Sequence, residues 1–277
     1  MPRLISYQQF PLSMAHLCEL ETPPAELIEI AAKAGLASVG LRIAQASPGG
    51  VEYPLRTAGE QAEMRRRIAA TGTSVLYIEL ISLSEATRAS DHKAMLETGA
   101  AIGATRLCVA ANSPDFAVVT EKFADICDLA RSYDIAVDFE FMPFRAMKTV
   151  ADAARIVKGA NRPNGHILVD ALHVYRSGSP IDDLVVLAPS LIGSFQICDA
   201  PAVAPPAAEL VTEARTNRLV PGAGGLDLWA VIDALPAGIG IGVEVPLAAR
   251  YPGLSAAERL ALLVKTTRNF LEQGSAT

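Results

Sequence analysis

The sequence predicts an α/β chain folded as a single (β/α)8 barrel over residues 1–277. Three observations predict it. Short β-rich runs alternate with longer helical stretches through the whole chain, the repeat of a parallel sheet. Most of those runs are continuously apolar, as expected when helices cover one face and a packed barrel interior covers the other. A length of 277 residues suits one large barrel better than two average domains. An open doubly wound sheet is the alternative, but no GxGxxG follows the first strand.

The expected strands cover residues 4–8, 38–43, 74–81, 106–110, 136–141, 166–170, 193–198 and 239–245. Pro23-Pro24 opens the first helix, which ends near Gly35. Thr57 caps the second, and Glu60 three residues later completes a capping box. Ser84 and Glu85 open a third that ends near Gly103. Residues 115–133, 144–159, 180–188, 226–234 and 255–274 supply the others. No linker divides the chain. The long segment between the seventh strand and Asp227 reads as a substrate-covering loop on the C-terminal rim, where barrel chemistry takes place.

Composition narrows the function classes. The net charge is −6 and the pI near 5.3, so no basic surface points to nucleic acid. No apolar run is long enough to span a bilayer, and the N-terminus lacks a signal-peptide core, so a cytoplasmic location without membrane partners is expected. Cys18, Cys108, Cys127 and Cys198 are scattered without a CxxC pair and read as reduced core residues.

Four polar residues interrupt the ends of the last four apolar strands. They are Glu140 in VDFEF, Asp170 in HILVD, Gln196 in GSFQICD and Glu244 in GIGVEVP. Charge buried in a barrel mouth is costly unless paired or bound to metal. Three carboxylates and an amide oxygen form a hard donor set, suited to Mn²⁺ or Mg²⁺, with Co²⁺ possible. The competing interpretation is a rim salt-bridge network in which Arg145 or Arg176 satisfies the carboxylates. His173, three residues after Asp170, is placed to touch the metal or its substrate. Arg42 and Glu79 end the second and third strands. Arg42 could receive a carboxylate or phosphate bidentately, or the two could pair with each other. His16, in the first βα loop, is a weaker candidate.

On these residues the chain resembles the xylose isomerase-like TIM-barrel superfamily, the sugar phosphate isomerase/epimerase family. That group includes ketohexose 3-epimerases, inosose and hydroxypyruvate isomerases, 3-dehydroshikimate dehydratases and endonuclease IV. The resemblance runs from PPAELIEIAAKAGLASVGLR to VEVP and a closing helix. It implies a metal held by Glu140, Asp170, Gln196 and Glu244, with Gln196 standing where epimerases usually have His. Some dehydratases are similar in using Gln there. It implies that Glu140 and Glu244 also act as acid/base groups. His173 then contacts substrate, and so does Arg218 in NRLVPGAGGLD, a run that resembles the family's R-x-x-PGEG with Ala223 in place of the Glu. The implied activity is isomerisation or epimerisation of a sugar, keto-sugar or polyol-derived ketone through a metal-stabilised enediolate. The alternative is a dehydratase or lyase on a cyclic keto substrate, such as 3-dehydroshikimate or a 3-keto-glycoside. A small-molecule substrate and a homo-dimer or homo-tetramer are the partners it implies. Endonuclease IV needs many more metal ligands than a chain with four His offers.

Overall fold

The computed structural model describes residues 11–45 and 49–274. Among them, parallel strands β1 to β8 close into a barrel in sequence order. The strands are β1 (Leu12–Met14), β2 (Ser38–Arg42), β3 (Ser74–Leu83), β4 (Arg106–Ala111), β5 (Ala136–Glu140), β6 (Gly165–Asp170), β7 (Ile192–Ile197) and β8 (Ile241–Val243). β1 pairs with both β2 and β8, which completes the ring.

The strand expected at residues 4–8 lies outside the described residues. The strand that closes the barrel is Leu12–Met14, directly after Pro11. Pro is tolerated just before a strand, where no ladder donor is required.

The helices follow local rules. α1 (Pro24–Ala34) begins on Pro24 and ends at Gly35, whose φ of 82° is the left-handed conformation glycine adopts most easily. α2 (Ala58–Thr71) starts with the expected Thr57/Glu60 capping box. α4 (Phe116–Arg131) is capped by Asp115. α8 (Leu210–Thr212), α9 (Leu228–Ala234) and α10 (Ala256–Gly274) complete the C-terminal part.

Three helix expectations need correction. α3 spans Lys93–Ala101 and does not open at Ser84. There the Thr87 hydroxyl accepts from Ser84 N at 2.9 Å and forms a turn instead. α5 (Val150–Ala160) begins after Thr149, not at Phe144, because Thr149 and Asp152 form the capping box. That leaves residues 141–149 as a loop over the barrel mouth. The helix expected at 180–188 shrinks to α7 (Asp182–Val185), while α6 (Ala171–Ser177) forms where none was expected. The cause is Asp170, whose side chain accepts from His173 N at 3.1 Å and caps α6.

The core lies between the barrel and its helices, where Phe123 and Phe139 meet edge to face with centroids 5.6 Å apart. The barrel interior is different. Its middle is an apolar plug that includes Leu80, Cys108, Ala110 and Leu168. Toward the N-terminal end of β5, buried Asp138 accepts from Arg106 Nε at 2.6 Å, from Arg106 Nη2, and from Ser194 Oγ at 2.8 Å. Gly193 leaves the room, since a Cβ there would collide with Arg106 and Asp138. Both carboxylate oxygens of Asp138 are thereby paired.

Candidate active site

The upper end of the barrel interior opens into a cavity with an empty volume of about 650 Å³, including its mouth. Glu79, Glu140, His173, Gln196, Arg218 and Glu244 all line it. Alternation along each strand explains the convergence: residues two apart share a face, so Glu140 lies above Asp138 on β5 and Gln196 above Ser194 on β7. Gln196 is in register with Asp170 across the β6–β7 pair.

Glu140, Asp170 and His173 are all buried and offer ligand atoms within 4.8 Å of one another. His173 Nε2 lies 3.5 Å from Glu140 Oε1, and the Phe144 ring packs edge-on against the imidazole. Cys108 Sγ donates to Glu140 Oε2 at 3.3 Å. Arg218 reaches in from the loop after β7. Its Nη1 donates to Asp170 Oδ2 at 2.6 Å, its Nη2 pairs with Glu244 Oε2 at 2.8 Å, and its Nε donates to Ala214 O at 2.7 Å. The rim cation that meets the carboxylates is therefore Arg218. Arg176 pairs with Glu213 at 2.7 Å, and Arg145 donates to Ser82 and Asn112.

The loop that carries Arg218 folds around a single side chain. Buried Asp199 accepts from the backbone N–H groups of Ala200, Gly222, Gly224 and Leu226 at 2.8–3.2 Å. A Cβ on Gly224 would strike Asp199 and Ala200 O, so the PGAGG run needs its glycine there. The run is a structural turn, and Ala223 within it is exposed.

Burial and charge set the titration of the site. Burial, followed by the charge of Asp170, pushes Glu140 up to about 7. Burial also opposes ionisation of Asp170, but Arg218 and the other donors outweigh it and hold that carboxyl down to about 2. Burial raises Glu244 well above the usual carboxylate range despite Arg218. Burial lowers His173 to about 4, so its imidazole is neutral near neutral pH.

The residues fit a divalent cation. Among the described residues, Gln196 Oε1 and His173 Nδ1 are buried without a hydrogen-bond partner. Such orphaned acceptors are costly and call for a ligand. Ionised Glu140, Asp170 and Glu244 carry three negative charges against one positive charge on Arg218, which leaves two for a divalent ion to balance.

The remaining candidates are now located. Arg42 and Glu79 pair with each other, with Arg42 Nη2 3.0 Å from Glu79 Oε2. Among the described residues Glu79 Oε1 is buried without a hydrogen-bond partner, and Glu79 lines the cavity. His16 is buried beneath the rim. Its Nδ1 accepts from Arg42 N at 2.8 Å and its Nε2 meets Thr22 O at 3.0 Å, so it positions β2. Two contributors escape the sequence pattern. Cys108 reads there as inert core, although its place two residues before Ala110 on the interior face is a usable signal. Arg145 reads there as a counter-ion and a weaker site candidate, with no stated role.

A family model for the xylose isomerase-like TIM barrel matches residues 28–266. The chain belongs to this family. Its fold is shared with the IolI protein solved with a zinc atom, at 20% identity and a TM-score of 0.80 over 95% of this chain and 98% of that one. A D-psicose 3-epimerase solved in the presence of D-fructose shows 15% identity and a TM-score of 0.71 over 95% and 99% of the two chains. The probable 3-DHS dehydratase AsbF from Bacillus anthracis shows 15% identity and a TM-score of 0.70 over 92% and 97%. A search of curated proteins found none that matches. Family members are mostly enzymes. Among the described residues, no helix is long and apolar enough to cross a membrane.

Proposed function

We propose that this protein is a divalent-metal-dependent enzyme that moves a proton next to the carbonyl of a small keto-sugar or polyol-derived ketone, as an isomerase or epimerase. One observation carries the reading: two buried carboxyls, Glu140 and Glu244, face one cavity alongside Gln196 and His173, whose acceptor atoms are unpaired. Glu140, Asp170, Gln196 and Glu244 hold the metal in this reading, with His173 as a further donor. When bound, Mn²⁺ or Mg²⁺ supplies Lewis-acid stabilisation of negative charge that develops on substrate oxygens.

The chain's own residues do the rest. A carboxyl held at about 7 can both take and return a proton near neutral pH, which suits Glu140 to remove the proton beside the carbonyl. Glu244, on the other side of Asp170 and Arg218, returns it to the opposite face. Arg218 is fixed by three acceptors and offers positive charge toward the enediolate oxygens. The neutral imidazole of His173 orients a substrate hydroxyl. The apolar walls, Leu80, Met142 and Phe144, limit water at the reacting carbon.

Gln196 supports a second reading, elimination from a cyclic keto substrate, because the family resemblance implies His at that position in epimerases and Gln in some dehydratases. Incubation of the Mn²⁺-loaded protein in D2O with ketohexoses and with 3-dehydroshikimate, followed by NMR, tests both. Deuterium at a retained carbon supports isomerisation or epimerisation, and an unsaturated product supports elimination. Failure to take up a divalent metal would overturn the reading.

A further inference from the structure

The arginines inside the barrel mouth are not equivalent. Arg42 is paired with Glu79, and Arg218 with Asp170 and Glu244. Arg145 lines the same cavity, yet among the described residues no carboxylate lies within ion-pair distance of it. Its Nη1 donates to two neutral acceptors, Ser82 Oγ at 3.1 Å and Asn112 Oδ1 at 2.6 Å. These bonds fix the guanidinium in place without neutralising it. The side chain is partly buried in the 141–149 loop, between β5 and the capping box of α5. Arg215, exposed on the loop after β7, lines the same cavity and adds to the positive field.

A guanidinium withdrawn from water without a counter-ion is costly, and a fixed one awaits an anion. The charge count agrees. Glu140, Asp170 and Glu244 balance Arg218 and one divalent ion, and Arg145 is then left over.

We propose that Arg145 is an anion seat, so that the substrate of this site carries an oxyanion group, a carboxylate or a phosphate, a few bonds from its reacting carbonyl. The inference rests on the metal-dependent reading above for its charge count, and it narrows the substrate from neutral sugars to keto acids or sugar phosphates. Arg145 presents a planar fork to the anion, while Ser82 and Asn112 hold its orientation.

The test uses the full chain loaded with Mg²⁺ and small probes of known charge. Sodium acetate, inorganic phosphate and neutral acetamide are titrated while the Nε–Hε resonance of Arg145 is followed by ¹⁵N NMR, assigned by its loss in Arg145→Gln. The expected result is a saturable shift with acetate or phosphate and none with acetamide. Arg145→Gln then weakens anion binding by roughly 10- to 100-fold. Arg145→Lys, which keeps the charge without the fork, recovers part of it. Tighter acetate binding supports a carboxylate substrate, and tighter phosphate binding a phosphorylated one. An unmoved Arg145 resonance, an equal response to acetamide, or equal anion affinity in Arg145→Gln would overturn the proposal. Mg²⁺ affinity, measured by calorimetry on the same samples, is expected to be unchanged by Arg145→Gln. Absent Mg²⁺ binding with an intact anion response overturns the metal reading alone.

Discussion

Asp138 and Glu140 are two residues apart on β5 and face the same barrel interior, yet they live differently. Asp138 accepts from Arg106 and Ser194 and is fully buried. Among the described residues Glu140 has a thiol donor and an imidazole nitrogen 3.5 Å away, and its carboxyl rises to about 7. The same contrast recurs on β7, where Ser194 donates to Asp138 while Gln196 Oε1 has no partner among the described residues. The lower layer is a finished ion-pair network and the upper layer an incomplete one. Polar groups at the two ends therefore stand differently: below they are paired with one another in the barrel interior, and above, in the metal-dependent reading, they are open to a cation and substrate.

The largest expected effect breaks the upper layer. Glu140→Gln lowers proton exchange on the substrate found in D2O by roughly 10²–10⁴-fold, while circular dichroism stays native. A variant that retained full exchange would remove Glu140 from the chemistry.

The lower layer responds in stability instead. Asp138→Ala leaves Arg106 without its partner and is expected to cost about 3–5 kcal/mol in urea unfolding. Protein that remains folded should bind Mn²⁺ as the wild type does. A stability change smaller than that of Glu140→Gln would erase the contrast.

Acidity and metal sharpen it further. In EDTA, the folded protein holds the Glu140 proton up to about 7, whereas the unfolded chain releases it near an ordinary glutamate value. Ionised Glu140 thus destabilises the metal-free fold increasingly as pH rises from the ordinary value through about 7. Glu140→Gln lacks this penalty. It should be the more stable protein at pH 8 by up to roughly 2–3 kcal/mol, with the gap closing toward pH 4.5. Mn²⁺ at about 100 times its Kd should stabilise the wild type by about 2.7 kcal/mol and cancel most of that gap. Thermal unfolding across pH, with and without Mn²⁺, reads both.

The smallest pair of effects compares β7 with itself. Ser194→Ala removes a donor from Asp138 and should cost about 1–2 kcal/mol. Gln196→Leu removes an amide whose oxygen is unpaired and should leave the metal-free protein within about 0.5 kcal/mol of wild type, while weakening Mn²⁺ binding. Equal losses in EDTA would mean that Gln196 supports the fold as much as Ser194 does.

Much of the barrel was legible in the residue order. β2 through β8 fall close to the expected positions, because buried parallel strands must be short and apolar. The capping box at Thr57 was equally local. β1 was harder: a strand of three residues beside Pro11 is too short for a periodic signal. α6 was hidden because Asp170 reads as a strand-end ligand and also caps the following helix. The carboxylates of the site were legible since each interrupts an apolar strand. Their partners were not.

The sequence by itself determined the barrel, the strand-end position of Glu140, Asp170, Gln196 and Glu244, and the proximity of His173 to Asp170. All of these follow from spacing along one element and its neighbour. The tertiary structure decided which cation meets which carboxylate. Arg218, 48 residues from Asp170, takes the place between Asp170 and Glu244, Arg42 is absorbed by Glu79, and Arg145 lines the cavity without a carboxylate partner among the described residues. Those choices depend on how long loops fold over the mouth and where flexible side chains end. Strand periodicity carries no information about either.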